Sequence, residues 1–515
     1  MAPSRAAKER HIVFIKQLCY TVIKSDRGGD TMAKTKVLTP EQLKQRAARK
    51  QREIARREKQ KAKPKRRAYL LYMVFLICLI YITDEIASQI CVQMKTEIAG
   101  DLFAKFGDSS LGKLELLTLV SYAFMGVSLF YKPLSDRFGR RLFLVVNTFG
   151  MSLGMLMIFL SRSILAYTVG FCVISFFIPH DMQVVYIMET APAKHRAKIY
   201  ALVKCVATLG VMVVPLLRRL LMENASQWRL VFLVPAVVGL AVSFVALLLA
   251  RETDAFIDSR LRYLHMSEEE LAAEKARKDM QNAQGGFFAS LRFSLRHKQL
   301  RWLLIYMAFV NLAFVISMQY QVMMSYGYAQ NMVTATGVTL DTALGAVSTG
   351  AVTEALFLFP VGSALFQLMV GFISDKFGRK PASALMCGVT IVTLLLFTFG
   401  ARLAWPPALV GFFAGACIGS FWAVGDINVM MLSESAPTNL RSSVPSSGYV
   451  IEALGTVVSM AILLPLMNVV GNAVVTPVVL AVSVPGLVIG LLLVLMKTHE
   501  TKGVDLDAVT GKEWD

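Results

Sequence analysis

Twelve runs of mostly apolar residues constrain this chain more than any other feature. Each is roughly 19–27 residues long, enough for a helix rising 1.5 Å per residue to cross about 30 Å of hydrocarbon. We number them spans 1–12, and they cover residues 68–92, 114–134, 142–160, 164–190, 198–221, 229–250, 301–325, 352–373, 382–400, 406–432, 444–468 and 473–496. Runs of this length are too long for strands. The sequence therefore predicts an all-α polytopic membrane protein with twelve transmembrane helices.

Composition and charge support this reading. Of the 515 residues, 55% are hydrophobic and 17% are charged, too few polar groups to cover a soluble protein of this size. Residues 1–67 hold 21 Lys or Arg against six Asp or Glu, and basic clusters also follow even-numbered spans. Because positive loops stay on the cytoplasmic side, both termini are expected in the cytoplasm and the protein in the plasma membrane.

The basic tail, residues 1–67, carries several expectations of its own. Its first apolar stretch, HIVFIKQLCYTVIK, is too short and too rich in lysine for a signal peptide, and Met32 is a second candidate start. A helix is predicted from Thr39, with proline at its first position. Topogenic charge or attraction to anionic lipid is the expected use of the tail, and nucleic-acid binding is not.

Two short motifs occur twice in the same order. SDRFGRR at 135–141 returns as SDKFGRK at 374–380, and ETAPAKHR at 189–196 returns as ESAPTNLR at 434–441. The repetition divides the chain into an N-terminal half (68–250) and a C-terminal half (301–496), each with six spans. A polar linker (251–300) joins the halves, and a short tail (497–515) follows. Many secondary transporters are built from two such repeats around a site near the midplane.

These motifs resemble those of the major facilitator superfamily, in particular its sugar porter and metabolite:proton symporter branch. WRLVF at 228–232 and HETKG at 499–503 strengthen the resemblance, which covers about residues 68–507. It implies inner-gate ion pairs between Arg140 and Glu189 and between Arg379 and Glu434, with Asp136 and Asp375 capping facing helices. The remaining residues it assigns to this gate are Arg137, Gly139, Arg141, Arg196, Gly378, Lys380 and Arg441. The alternative is that these charges are only positive-inside anchors.

The sequence also departs from the sugar porters. Lys204 stands where the family has a span 5 glutamine, span 7 lacks the paired glutamines and the GIN sequence, and RETDAF replaces PESPR after span 6. Groups that hydrogen-bond a hexose are therefore missing, which puts a sugar substrate in doubt.

Ionisable residues within spans are costly and therefore candidate functional residues. Asp84 and Glu85 lie on span 1, while His180, Asp181, Lys204, Asp426 and Glu452 fall at one level near the midplane. Asn311 and Gln319 on span 7 add polar groups to this candidate cavity. Glu115 and Glu354, at the outer mouths of spans 2 and 8, are expected to be solvated.

Lys204 is expected to be the only Lys or Arg well inside a span. It can pair with Asp181 across one hairpin. Asp426 and Glu452 are then protonated, hydrated, matched across the interface by Lys204, or neutralised by a cationic ligand. A buried carboxyl is suited to carrying a proton, whereas a structural role for Asp426 in a kinked helix is the alternative.

These features predict a secondary active transporter of a small polar or charged organic solute, driven by protons in symport and functional as a monomer. A passive sugar-type facilitator and a non-transporting membrane sensor are the alternatives. No cofactor is expected. The seven cysteines are far apart, without the spacing of metal ligands or redox pairs, so neither a metal site nor an enzyme is predicted.

Overall fold

The computed structural model describes residues 40–62, 67–131, 134–178, 182–191, 196–267, 269–274, 276–277, 287–437, 440–441 and 443–504. Met32, His180 and Asp181 lie outside these residues, as do the side chains of Asp136, Arg137 and Arg196. Residues up to Lys59 form one unit, and those from Gln60 onwards form a second. The helix predicted after Thr39 is present as Pro40–Lys61.

Each of the twelve predicted spans is mainly helical over its described residues, and the described residues contain no strand. Ten helices in this part of the chain are long and apolar enough to cross a membrane, and the expected twelve-helix all-α membrane protein is confirmed. The spans comprise Arg67–Gln93, Ser110–Tyr131, Arg140–Leu160, Ile164–Phe177 with Met182–Thr190, Arg196–Gly210 with Val213–Leu221, Arg229–Leu249, Lys298–Val310 with Phe314–Thr336, Thr353–Phe377, Arg379–Arg402, Pro407–Glu434, Ser443–Val469 and Val475–Lys497.

Short helices extend or connect the spans. Lys95–Leu102 follows span 1, Leu340–Val347 precedes span 8, and Asp254–His265 and Phe287–Arg296 lie in the linker. A π-helical segment, Ser348–Val352, joins Leu340–Val347 to span 8, with Gly350 at φ −94° and ψ −106°. Such a break leaves carbonyl groups without their usual helical partners. This one lies beside the buried charges described below.

Spans 8 and 10 pack with their backbones in contact. Glycines recur every fourth residue along span 10, at 411, 415 and 419, so they share one face of the helix. A Cβ at each would overlap the carbonyl oxygen of a span 8 residue: Ala355, Phe359 and Ser363 respectively. Small residues at this spacing allow helices to approach closely where the hydrophobic effect contributes little, as in lipid.

We expect Gly415→Ala to lower the thermal unfolding temperature in detergent, because its methyl group would push spans 8 and 10 apart. Overpacking of this kind costs on the order of 1–3 kcal/mol. Gly425→Ala, on the same span, is the matched control because a Cβ there meets nothing within 4 Å. Equal melting temperatures for the two variants would contradict the close contact.

Candidate transport site and its two ends

A cavity of about 490 Å³ lies between the two halves. It is lined by spans 1, 2, 4 and 5 of the N-terminal half and by spans 7, 8 and 10 of the C-terminal half. This volume suits a small organic ligand. The polar and charged side chains in its wall include Asp84, Glu85, Ser88, Gln89, Lys95, Thr118, Ser121, Ser175, Lys204, Thr208, Ser317, Ser363, Gln367 and Asp426.

Lys204 and Asp426 face each other across this cavity. The Lys204 Nζ lies 3.8 Å from Asp426 Oδ2, and their side chains are 29% and 63% exposed. Of the partners that the sequence left open for Asp426, the structure shows Lys204, across the interface between the halves. Because Asp426 is well exposed, the cavity is wet at this level.

The two acidic residues of span 1 lie in the same cavity. Asp84 is buried and accepts a hydrogen bond of 2.9 Å from Gln183 Nε2 on span 4, while Glu85 is half-buried in the cavity wall. The sequence placed this pair on span 1, apart from the midplane group. The structure brings them together with Lys204 and Asp426.

Three residues assigned to the cavity lie elsewhere among the described residues. Gln319 is fully buried and donates a hydrogen bond of 2.8 Å to Glu115, so its assignment to the cavity wall was wrong. Asn311 and Glu452 are not among the residues that line the described cavity; they interact with each other, and Glu452 lies close enough to Asp426 for the two carboxyl groups to interact electrostatically.

One end of the cavity is sealed by a buried ion pair. The Lys95 Nζ lies 2.5 Å from Glu115 Oε1 and donates to the Met318 carbonyl of span 7 at the same distance. Glu115 is fully buried, so the expectation that it is solvated was wrong. Glu354, its counterpart in the repeat, is exposed. We call this the closed end.

A second ion pair strengthens the closed end. Arg218 of span 5 lies 2.5 Å from Glu97, with side chains 0% and 1% exposed. Arg218 also donates to Thr353 Oγ1 at 3.0 Å and to the carbonyl of Ser348, in the π-helical segment, at 2.9 Å. Ser348 in turn donates to Glu97. The broken helix before span 8 thus supplies acceptors to a buried guanidinium.

Each of these ion pairs belongs to one half. Lys95, Glu97, Glu115 and Arg218 all come from the N-terminal half, whereas the C-terminal half contributes neutral hydroxyl, amide and carbonyl groups. Lys95 and Arg218, which lie beyond the end of span 1 and near the end of span 5, are thus buried basic residues that the sequence analysis did not single out. The sequence features that could have predicted these pairs were Lys95 and Glu97, directly after span 1, and Arg218 inside predicted span 5.

The motif end, at the opposite side of the cavity, carries the SDRFGRR and SDKFGRK segments. Arg140 Nε donates to Glu189 at 3.1 Å, as the resemblance implied. Glu252, from RETDAF, accepts bonds of 2.9 and 3.1 Å from the backbone N–H groups of Arg140 and Arg141, and Thr253 donates to Glu189 at 2.5 Å. These contacts join the start of span 3 and the start of the linker to the end of span 4.

The C-terminal half repeats this arrangement. Arg379 Nε donates to Glu434 at 3.3 Å, Glu500 accepts from the N–H groups of Arg379 and Lys380 at 2.7 and 3.1 Å, and Thr501 donates to Glu434 at 2.6 Å. The acidic residues after spans 6 and 12, in RETDAF and HETKG, are thus a third repeat that sequence reasoning missed.

Other members of the motif take local partners. Asp375 pairs with Arg379 of its own turn at 2.8 Å and is exposed, so the described structure does not show it capping a facing helix. Arg141 and Lys380 donate to carbonyls near the ends of spans 6 and 12. Gly139 and Gly378 have φ of +117° and +107°, a backbone region that favours glycine. Arg441 is half-buried before span 11.

The sequence profile of the sugar (and other) transporter family matches residues 20–512, and the chain belongs to this family. The protein is therefore a membrane-embedded, multi-pass transporter and not an enzyme. A facilitated glucose transporter homologue of Caenorhabditis elegans is 32% identical over 117 residues. That match spans 22% of this chain and 21% of the relative.

Solved transporter structures share the fold. The xylose transporter XylE from E. coli, in an inward open conformation, has a TM-score of 0.57 at 17% identity, over 86% of this chain and 99% of that one. A D-xylose-proton symporter gives 0.54 at 17% identity, over 84% and 99% of the two chains. A bacterial homologue of the human lysosomal transporter Spinster, inward-facing and unoccupied, gives 0.52 at 14%, over 84% and 96%.

We expect the double variant Ser348→Ala/Thr353→Val to open the closed end more often, because it removes two hydroxyl partners of the Arg218–Glu97 pair. At about 0.5–1.5 kcal/mol per hydrogen bond, the equilibrium should shift by roughly 1–3 kcal/mol. Spin labels at Glu223 and Asp341, both exposed, would report longer distances. Thr398→Val, whose hydroxyl bonds only its own helix at Leu394, is the control. Unchanged distances would contradict a latching role.

Glu500 makes the stability of the fold depend on pH. Burial raises the pKa of its carboxyl, but hydrogen bonds from the N–H groups of Lys502, Arg379, Lys380 and Thr501 outweigh this and hold the pKa below the ordinary 4.5. A depressed pKa stabilises the fold above about pH 4.5 and loses that effect as pH falls through the folded-state value.

We therefore expect Glu500→Gln to lower the melting temperature at pH 7, with the gap to wild type closing below about pH 4.5, the ordinary value. Thermal unfolding in detergent between about pH 3 and pH 8 measures this gap. Glu269→Gln, an exposed linker substitution, should show no gap at any pH. A gap that does not vary with pH would show that the ionised form is not what the N–H groups favour.

Proposed function

We propose that this protein is a secondary active transporter that moves a small polar or charged organic solute by alternating access, in symport with protons. The observation that carries the proposal is the Lys204–Asp426 pair. It joins the two halves at 3.8 Å inside a cavity that is sealed at the other end. Because Lys204 and Asp426 belong to different halves, the distance between their charges changes whenever the halves move.

Protonation of Asp426 would remove its negative charge and so break the ion pair with Lys204. In the described conformation the Asp426 side chain is 63% exposed and is therefore accessible to water in the cavity. Closing the motif end would enclose it, and an enclosed carboxylate is costly unless it is neutralised. Proton binding and the movement of the halves would then be linked, because each favours one conformation over the other.

The comparisons support transport and leave two couplings to distinguish. One structural neighbour is described as a D-xylose-proton symporter, which favours proton coupling. The partial match to a facilitated glucose transporter homologue favours the second candidate, a passive sugar-type facilitator. In either case we propose a monomer in the plasma membrane, with the motif end and both termini cytoplasmic and the basic tail near anionic lipid.

Asp426→Asn tests the proposal. The amide keeps the shape of the protonated carboxyl but cannot release a proton. In proteoliposomes loaded with a pH-sensitive dye, we expect wild type to acidify the lumen when its solute enters. The variant should lose this proton uptake but keep solute exchange. Asp341→Asn, an exposed carboxyl at the other end of the C-terminal half, is the control.

Two outcomes would redirect the assignment. If the Asp426→Asn variant still concentrates solute with the pH dependence of wild type, Asp426 is not the proton carrier, and Glu452 is tested next. If wild type equilibrates solute with no proton movement at any pH gradient, the protein is a passive facilitator.

A further inference from the structure

The charge and the aromatic content of the cavity narrow the class of solute. We infer that the cavity recognises a small organic cation, such as a protonated amine or a quaternary ammonium ion. This inference rests on the proposed transport function, and it assigns the substrate class of the same site.

The described cavity wall carries an excess of negative charge. Three carboxylates line it, those of Asp84, Glu85 and Asp426, together with two lysines. The charge of Lys95 is matched by the buried carboxylate of Glu115, whose Oε1 lies 2.5 Å from the Lys95 Nζ. Among the described residues of the wall this leaves three carboxylates and one lysine, Lys204. In a cavity with walls of low dielectric constant, this imbalance attracts a cation and repels an anion.

The closed end adds further acceptor capacity. Glu115 uses Oε1 for both Lys95 and Gln319. Its Oε2 is buried and has no hydrogen-bond partner among the described residues. A carboxylate oxygen without a hydrogen-bond partner among the described residues therefore lies behind the closed end, outside the residues that line the cavity.

Aromatic rings supply a second, independent feature. Six of them line the cavity: Tyr81, Tyr167, Phe171, Phe314, Phe359 and Trp422. Phe314 and Trp422 meet edge to face, with centroids 5.8 Å apart and planes at 89°. Two rings at right angles present a face and an edge to the same space. Ring faces attract alkylammonium groups, most strongly when the site excludes water.

Neutral polyols and anions suit this wall less well. A sugar could hydrogen-bond the hydroxyls and carboxylates of the described wall, but as a neutral ligand it would bring no positive charge to those carboxylates. An anion would rely on Lys204, which already has Asp426 at 3.8 Å.

Matched probes that differ only in charge test this inference. We would measure binding to the purified full-length protein by calorimetry, with choline against its neutral isostere 3,3-dimethyl-1-butanol, and with butylammonium against 1-butanol and butyrate. At least one cation should bind tenfold or more tightly than its neutral partner, and butyrate should bind least. Equal binding within each set, preference for butyrate, or no binding of either cation would overturn the inference.

Variants connect the preference to the cavity. Glu85→Gln and Trp422→Leu should each weaken binding of the preferred cation at least tenfold, while leaving the melting temperature close to that of wild type. Glu354→Gln, an exposed span 8 carboxyl outside the cavity, should bind as wild type does. Loss of affinity in all three variants, or in none, would contradict recognition by the cavity.

Flux separates this inference from the proposed function. Proteoliposomes that concentrate D-xylose, from a protein that binds neither cation, would retain the transporter and reject cation recognition. A protein that binds a cation with the expected preference but moves no solute under any ion gradient would retain the site and reject secondary active transport.

Discussion

Buried charge must keep its counter-charge, and the closed end satisfies this requirement within one half. Arg218 stays with Glu97, and Lys95 stays with Glu115, all in the N-terminal half. Separating a buried pair leaves an uncompensated charge and costs several kcal/mol, whereas exchanging a neutral hydrogen bond for water costs about 1 kcal/mol. The halves can therefore part at this end while every charge keeps its partner.

The motif end is organised differently. Glu252 and Glu500 accept from backbone N–H groups at the starts of spans 3 and 9, within their own halves. The paired threonines connect the same segments to Glu189 and Glu434. Each half is thus tied to itself here, while the hydrogen bonds between halves gather at the closed end. This division suits two bodies that rock about the cavity between them.

Much of this architecture was predictable from sequence. The length of the apolar runs predicts the spans, because it must match the thickness of the hydrocarbon, and the family resemblance of the repeated motifs implies the Arg140–Glu189 and Arg379–Glu434 pairs. The partners of Lys204, Arg218 and Lys95 were not predictable, because they depend on which helix faces which. Spacing left Asp426 as one of several choices for Lys204. Lys95 follows span 1 directly and reads as a loop residue, until the helix Lys95–Leu102 turns it inward.

The glycine contact between spans 8 and 10 has a mechanical consequence. Helices whose backbones touch at three successive turns cannot slide or tilt independently, so the two spans behave as a single stiff beam. One end of the beam carries Ser348 and Thr353, which hold Arg218. Asp426 lies toward the other end, roughly 25 Å from Thr353 along the helix axes. When one end of these two helices moves, the other end moves with it. The closed end and Asp426 are therefore coupled mechanically, without any residue between them having to change its conformation.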